Sequence, residues 1–279
     1  MNSLYQSLKV SLANNIDDIA LQLGLEKKSL EMIKYSMLPP GKLVRPIIGI
    51  NILKDITNSN DIKQNILDLF LGLEFIHVST LIHDDLPSLD NDDQRRGKAT
   101  AHKCFGEGNS VLLGALLSGI GITWPKFFIE KETAGIISSE WASSYAVVQD
   151  GQILDIDNSR TAESLERLYA KKTGALFKAA FTAAAIIAKL ENTKASALGK
   201  LGEAVGIYFQ ILNDKQDAAG VGRSGGSDNK NGRLTWGIDK NGNEINLESY
   251  ICEAESVLNF RLENLREVVK SLKLAAFLT

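Results

Sequence analysis

Residues 62–85 read Ile-Lys-Gln-Asn-Ile-Leu-Asp-Leu-Phe-Leu-Gly-Leu-Glu-Phe-Ile-His-Val-Ser-Thr-Leu-Ile-His-Asp-Asp. Ile62, Ile66, Leu69/Phe70, Leu73, Ile76 and Thr80/Leu81 recur every three or four positions, which is the spacing of one face of an α-helix. That face runs toward Asp84. Pro87 predicts its end, because the residue before a proline is pushed out of the α region. The same period returns along the chain. Leu165, Leu168/Tyr169, Lys172, Leu176 and Ala179/Ala180 predict another helix, continued at 183–188 by small residues that allow close packing. Leu201, Val205, Tyr208/Phe209 and Leu212 predict a third. Ile251, Leu258, Leu262, Leu265, Val268/Val269 and Leu272 predict a final amphipathic helix. Alternating strand patterns are too short to argue for a sheet (Val147-Val148, Ile47-Ile48). With neither an internal repeat nor a dividing linker, the reading is all-α: a single domain over residues 1–279, built as a helical bundle.

Bulk properties narrow the function. A length of 279 residues is at the upper edge of single-domain size, and 44% hydrophobic with 23% charged residues describes an ordinary globular chain. A net charge of −3 gives no footprint for nucleic acid. Cys104 and Cys252 form neither a disulfide framework nor a zinc spacing, so a reducing cytoplasm is expected. The first ten residues lack a basic region followed by an apolar run, so no secretory signal is expected. The most apolar stretch, 111–124, falls short of the roughly 18–20 residues a membrane span needs and predicts a buried helix. Residues 219–243 differ in composition, with seven glycines among polar residues. They predict a mobile loop acting as a lid.

The chemistry lies where the first helix ends. His83-Asp84-Asp85-Leu86-Pro87-Ser88-Leu89-Asp90-Asn91-Asp92-Asp93-Gln94-Arg95-Arg96 places five carboxylates within ten residues and closes on two arginines. Such crowding costs free energy unless a cation neutralises it. Crowded oxygens suit hard cations, Mg²⁺ suits phosphates, and arginine forks suit phosphate oxygens. A second acidic cluster is Asn213-Asp214-Lys215-Gln216-Asp217, whose positions 213, 214 and 217 project from nearly one helix face. Two such clusters facing each other would chelate several Mg²⁺ ions. Cations stand at three separate turns or helix ends: Lys42 and Arg45, Arg95-Arg96, and Lys171-Lys172 followed by Thr173. This pattern fits phosphate recognition better than nucleic-acid binding in a net acidic chain. His77 lies about two turns before Asp84 on the same helix; as a lone histidine it reads as structural.

Together these motifs resemble the trans-isoprenyl diphosphate synthases, the short-chain polyprenyl synthetases that make farnesyl or geranylgeranyl diphosphate. The likeness covers roughly residues 35–236 in seven ordered motifs. They are Gly41-Lys42-Leu43-Val44-Arg45-Pro46; residues 77–107 with Asp84-Asp85-Leu86-Pro87-Ser88-Leu89-Asp90; Gly151-Gln152-Ile153-Leu154-Asp155; Lys172-Thr173-Gly174; Phe209-Gln210; the second acidic cluster; and Gly226-Ser227-Asp228 through Trp236. The two-residue expansion Pro87-Ser88 is similar to the bacterial and plant forms. The resemblance implies an isoprenoid synthase fold of about ten or more antiparallel helices around a central cavity, assembled as a homodimer. It implies that Asp84, Asp85 and Asp90, with Asn213, Asp214 and Asp217, hold Mg²⁺. It makes Asp84, Asp85, Lys172 and Asp214 catalytic. Arg95, Lys172, Thr173 and Gln210, with Arg223 and Arg233, would contact an allylic diphosphate (dimethylallyl, geranyl or farnesyl). Lys42, Arg45, His77 and Arg96 would bind isopentenyl diphosphate without metal.

The implied reaction is a head-to-tail condensation. Ser79, five positions before Asp84, stands where farnesyl-makers tend to carry an aromatic, and with Thr80 it implies an open tunnel and a C20 product in preference to C15. Three departures accompany the resemblance. Asn213 replaces the first aspartate of the second motif. Arg223 and Arg233 replace lysines. Gly114-Ala115 lacks a common aspartate, and the chain after Trp236 matches poorly. They keep open a non-catalytic or weakly active subunit of a synthase. A class I terpene cyclase is the other alternative, since Asn213-Asp214 is similar to the start of its second metal motif. Asp217 and Val221 stand where that motif has Ser and Glu, however, and a cyclase needs no second diphosphate set.

Overall fold

The fold, given by a computed structural model, is described for residues 2–156, 162–218 and 246–277, with side chains except those of Asn2, 162–164, 216–218 and 273–277. The expected loop at 219–243, with Arg223 and Arg233, and the side chain of Asp217 lie outside the described residues. Thirteen α-helices make up nearly all of the described regular structure, as the periodicity predicts. The Cα framework groups into two compact units, residues 1–47 with 62–138 and residues 48–61 with 139–279.

The first unit holds α1 (Asn2–Gln22), α2 (Lys27–Met37), the start of α3 (Val44–Thr57), α4 (Gln64–Phe70), α5 (Gly72–Asp84), α6 (Ala101–Phe105), α7 (Glu107–Thr123) and the start of α8 (Lys131–Ile156). The helix predicted to lead up to Asp84 is two helices. They part at Leu71, whose N–H bonds to Asp68 O at 3.1 Å while its own carbonyl accepts Glu74 N–H at 2.9 Å. Leu71 keeps helical dihedrals (φ −62°, ψ −23°), so the apolar face carries through the break. α5 lies close against α7 because glycine permits it: a Cβ on Gly121 would come within 2.7 Å of Gly72 O and 2.9 Å of Ile76 N. The wholly buried Trp124 closes this end, its indole N–H donating to Asp68 O at 2.7 Å and its ring lying 4.5 Å from that of Phe75.

The apolar stretch in α7 is buried on one face only. Leu113, Leu117 and Ile120 turn inward, whereas Val111 and Leu112 remain 48% and 69% exposed. Two helical stretches, 64–84 and 107–127, are long and apolar enough to cross a bilayer; the first is mostly enclosed by the fold and the second about half. A feature the sequence reading did not foresee is a two-stranded antiparallel hairpin, β1 (Gln94–Arg95) with β2 (Lys98–Ala99). Its turn residues Arg96 and Gly97 both have positive φ, 53° and 73°, which matches the turn that suits the twist of a tight hairpin.

The second unit holds the rest of α3 and α8, then α9 (Ala162–Tyr169), α10 (Ala175–Ile187), α11 (Asn192–Ala218), α12 (Leu247–Leu258) and α13 (Glu263–Phe277). A π-helical turn, Ala170–Gly174, joins α9 to α10. α10 buries Ala179, Ala180, Ala183, Ala184 and Ala185, and glycines bring α11 against it. A Cβ on Gly206 would lie 2.6 Å from Gly174 Cα, and one on Gly202 2.9 Å from the Phe181 ring. The final predicted helix is again two. Asn259 takes a left-handed conformation (φ 62°) and ends α12. α13 is then capped from a distance by Asp55, which accepts the N–H groups of Asn264 (2.9 Å) and Leu265 (3.0 Å).

Candidate functional site

In the first unit the acidic motif begins on the last residue of α5. Asp84 and Asp85 are 9% and 3% exposed, and they stand at a helix C-terminus, where the backbone already presents partial negative charge. The following loop folds back: Leu86 N–H bonds to His83 O at 3.1 Å and Asp90 N–H to Asp84 O at 2.9 Å. Pro87 and Ser88 are exposed in this excursion, so the two-residue expansion returns the Asp90 backbone to the helix end. Arg95, presented by β1, supplies the nearest positive charge. Its Nε donates to both Asp85 oxygens at 2.8 and 2.7 Å, its Nη2 donates to Asp85 as well, and Asp92 lies 3.9 Å from Nη2. Burial works against the Arg95 charge, but the hydrogen bonds and charge of Asp85, with Asp84 and Asp92 beyond, outweigh it and push its pKa up. Its Nη1 is buried and lacks a hydrogen-bond partner, leaving one donor uncommitted.

The resemblance assigns Asp85 to a metal and Arg95 to a diphosphate, whereas here the two are bonded to each other. Among the described residues no three His, Cys, Asp or Glu side chains form a closed metal cage. The side chains at 84, 85 and 90 are hard oxygen donors, the chemistry that suits Mg²⁺, which keeps its waters and binds through one or two carboxylates plus substrate phosphates.

The cationic set of this unit is differently built. Lys42 is exposed, His77 half-buried, and Arg45 buried at the start of α3. Arg96 projects from the hairpin turn toward Glu74, its Nη2 3.8 Å from Glu74 Oε1. The two neighbouring arginines therefore part company: Arg95 goes to Asp85 and Arg96 to Glu74. Glu74 is 2% exposed; burial pushes its carboxyl up, against the pull of Arg96 and Arg45. Burial pushes Arg45 down to about 10, Glu74 opposes this, and Arg96 adds to it; the guanidinium stays charged at neutral pH. Sequence reasoning missed Glu74. Its signal was an acid inside the apolar run 71–82, one helical turn before His77 and on the same face.

Ser79 and Thr80 are both buried, and each hydroxyl donates to a carbonyl three residues earlier, Ile76 O at 2.7 Å and His77 O at 2.8 Å. With their hydroxyls satisfied they present small side chains, Thr80 directly one turn below Asp84.

In the second unit the π turn carries the cationic motif. Lys172 Nζ lies 2.7 Å from Asp155 Oδ2, and Lys171 is paired with Asp150. A Cβ on Gly151 would lie 2.7 Å from Lys172 N, so glycine at 151 is what lets α8 approach this turn. Thr173 Oγ1 donates to Gln210 Oε1 at 2.9 Å, and Gln210 Nε2 donates to Asp214 Oδ1 at 2.8 Å. Tyr169 OH donates to the other oxygen of Asp214, which is 3% exposed. Four side chains from α9, the π turn and α11 are thus linked. These two donors fix the orientation of the Asp214 carboxylate. Asn213 is half-buried beside it. Tyr169 is a member that the sequence reading took only for a helix-face residue; Asp155 was seen in its motif without a role.

A family model described as polyprenyl synthetase matches residues 26–250. A farnesyl diphosphate synthase of Micrococcus luteus is 36% identical over 218 residues, 74% of this chain and 73% of that one. The large subunit 1 of a chloroplastic heterodimeric geranylgeranyl pyrophosphate synthase of Arabidopsis thaliana is 32% identical over 258 residues, 83% of this chain and 66% of that protein. Among solved structures, a geranyltranstransferase from Thermotoga maritima is similar with a TM-score of 0.72 at 26% identity, covering 95% of this chain and 98% of that chain. An FPP/GFPP synthase from Zymomonas mobilis gives a TM-score of 0.74 at 26% identity, covering 98% and 100%.

Proposed function

The chain belongs to the polyprenyl synthetase family, and from that premise we propose that it condenses isopentenyl diphosphate head to tail with an allylic diphosphate (dimethylallyl, geranyl or farnesyl). The product is a short-chain prenyl diphosphate, C20 in preference to C15. The observation that carries this reading is the parting of Arg95 and Arg96. One arginine serves an acidic, metal-suited set and the other is held by a lone buried acid beside Arg45, as two differently bound diphosphates require. A terpene cyclase would need only the first.

In the reaction the allylic C–O bond breaks to leave a cation and diphosphate, the C=C of isopentenyl diphosphate forms the new C–C bond, and the proton released goes to the departed diphosphate. Asp84, Asp85 and Asp90, with Asn213, Asp214 and Asp217, are the residues that would hold Mg²⁺. When bound, that ion supplies charge neutralisation for the leaving group. Arg95 has its uncommitted Nη1 for the allylic diphosphate. Lys172, Thr173 and Gln210, pre-oriented by their own hydrogen bonds, are assigned to it as well. Lys42, Arg45, His77 and Arg96 would hold isopentenyl diphosphate in attack geometry. The small Ser79 and Thr80 leave room for a growing tail.

The exposed apolar face of α7 at Val111 and Leu112 supports a homodimer, which light scattering on the purified chain would test. Cys104 and Cys252 are free thiols, consistent with a cytoplasmic location. Incubation with isopentenyl diphosphate, Mg²⁺ and each of the C5, C10 and C15 primers, followed by chromatography of the products, tests the whole reading. Asn213, which offers an oxygen without charge, favours a second reading as a non-catalytic or weakly active subunit of a synthase. Absence of product with every primer would select it.

A further inference from the structure

The buried carboxylate of Glu74 has no role in the chemistry above. It sits in α5 with Leu73, Phe75 and Ile76, where an apolar side chain of similar size would avoid the cost of burying a charge. Its Oε1 makes no hydrogen bond, and its distance of 3.8 Å from Arg96 Nη2 is that of an ion pair only. Arg96 is constrained twice more. Its backbone has φ 53°, held by the hairpin turn. Its guanidinium lies flat against Gly41, where an added Cβ would stand 2.6 Å from Cζ and 3.0 Å from Nη1. Gly41 belongs to the segment that also carries Lys42 and leads to Arg45. Arg45 and Arg96 both bear on this one buried carboxylate, and guanidinium forks are the groups that suit phosphate oxygens.

We propose that Glu74 and Gly41 form a cradle that positions the Arg96 guanidinium for the diphosphate of the homoallylic substrate, Glu74 acting as a positioning residue; this rests on the two-substrate reading above. The acid repels the phosphate weakly but fixes the fork that binds it. Gly41 is glycine because any side chain would occupy the place of that fork.

The test compares Glu74→Gln and Gly41→Ala with the native chain, each also in an Arg96→Lys background. Both single variants are expected to raise KM for isopentenyl diphosphate about tenfold, the loss of one well-placed charged hydrogen bond. The allylic KM and kcat should stay within about twofold. In the Arg96→Lys background each second substitution should add little, because both act through Arg96. A merely structural role would move both KM values together and would be additive with Arg96→Lys. Gly41→Ala lies outside the helices and carries the comparison should Glu74→Gln lower the melting temperature. Calorimetric binding of isopentenyl diphosphate without Mg²⁺ is measured in parallel. If the native chain makes no product yet binds it, and both variants weaken that binding, the condensation reading falls and the cradle stands. Unchanged KM and Kd in both variants overturn the cradle, and no binding by the native chain overturns both.

Discussion

Replacing Arg95 by methionine keeps much of the side-chain length and removes the charge that Asp85 depends on. Asp85 and Arg95 have side chains only 5% and 15% exposed, so the pair is a buried one. Removing one partner of such a pair costs about 3–5 kcal/mol, because the remaining charge is left uncompensated. Here the cost falls at the upper end, since Asp84 stands beside Asp85 and both sit at the negative end of α5. At roughly 2–4 °C per kcal/mol for a protein of this size, a cost near ~5 kcal/mol should lower the melting temperature by roughly 10–20 °C. Mg²⁺ alone, without substrate, should then recover part of the loss. A cation at about a hundred times its Kd adds about 2.7 kcal/mol, and it should bind the variant better because the competing guanidinium is gone. Thermal unfolding by circular dichroism, with and without MgCl₂, reads both effects. A fall of less than about 1 kcal/mol, or an equal response of native and variant chains to MgCl₂, would refute the claim that Arg95 holds the place of a cation on this motif.

Asp84→Ala should lower kcat on the order of 10²–10³-fold or more while the circular dichroism spectrum is unchanged; retained turnover would remove Asp84 from the chemistry. Asn213→Asp adds the missing charge beside Asp214 and should lower the Mg²⁺ concentration for half-maximal activity about tenfold; an unchanged Mg²⁺ titration means the site at 213 is not limiting. Ser79→Phe should shift the product toward C15. Since Ser79 is wholly enclosed, it should also cost about 1–3 kcal/mol of stability; a destabilised variant with an unchanged product spectrum would separate the two effects. Burial alone would raise the Glu255 carboxyl, but the hydrogen bonds and charge of Arg266, the Leu262 N–H and Arg261 hold it below the usual range. A depressed acid contributes its stability above the ordinary carboxylate pKa of about 4.3 and loses it as pH falls through the lower folded value. Glu255→Gln should therefore flatten the acid limb of stability against pH below about 4.3, and parallel native and variant curves there would count against the pairing.

The helical nature of the chain was legible because burial of one face imposes a 3.6-residue period whatever the partner. The breaks were not. Leu71 keeps helical dihedrals, and Asn259 leaves the helix by a single left-handed residue, so neither interrupts the apolar spacing. The site was legible as a list of residue types and poorly so as a set of pairs. Nothing local in His83–Arg96 says that Arg95 bonds Asp85, because the choice depends on a hairpin six residues long. Tyr169 met Asp214 across 45 residues of sequence, a contact that only packing specifies. Glu74 was missed although its signal was local: a lone acid in an apolar run needs a reason.

The π turn at Ala170–Gly174 has a consequence for the history of this chain. A π turn is an α-helix carrying one surplus residue, so its deletion would restore regular hydrogen bonding and remove a local irregularity. Because the turn absorbs its surplus residue, the helices on either side keep nearly the register of an uninterrupted helix. A single codon gained or lost here would leave the buried alanine face of α10 in place and change how the turn presents Lys172 and Thr173 to Asp155 and Gln210. One-residue changes of length in this stretch are thus tolerated by the packing and felt by the site.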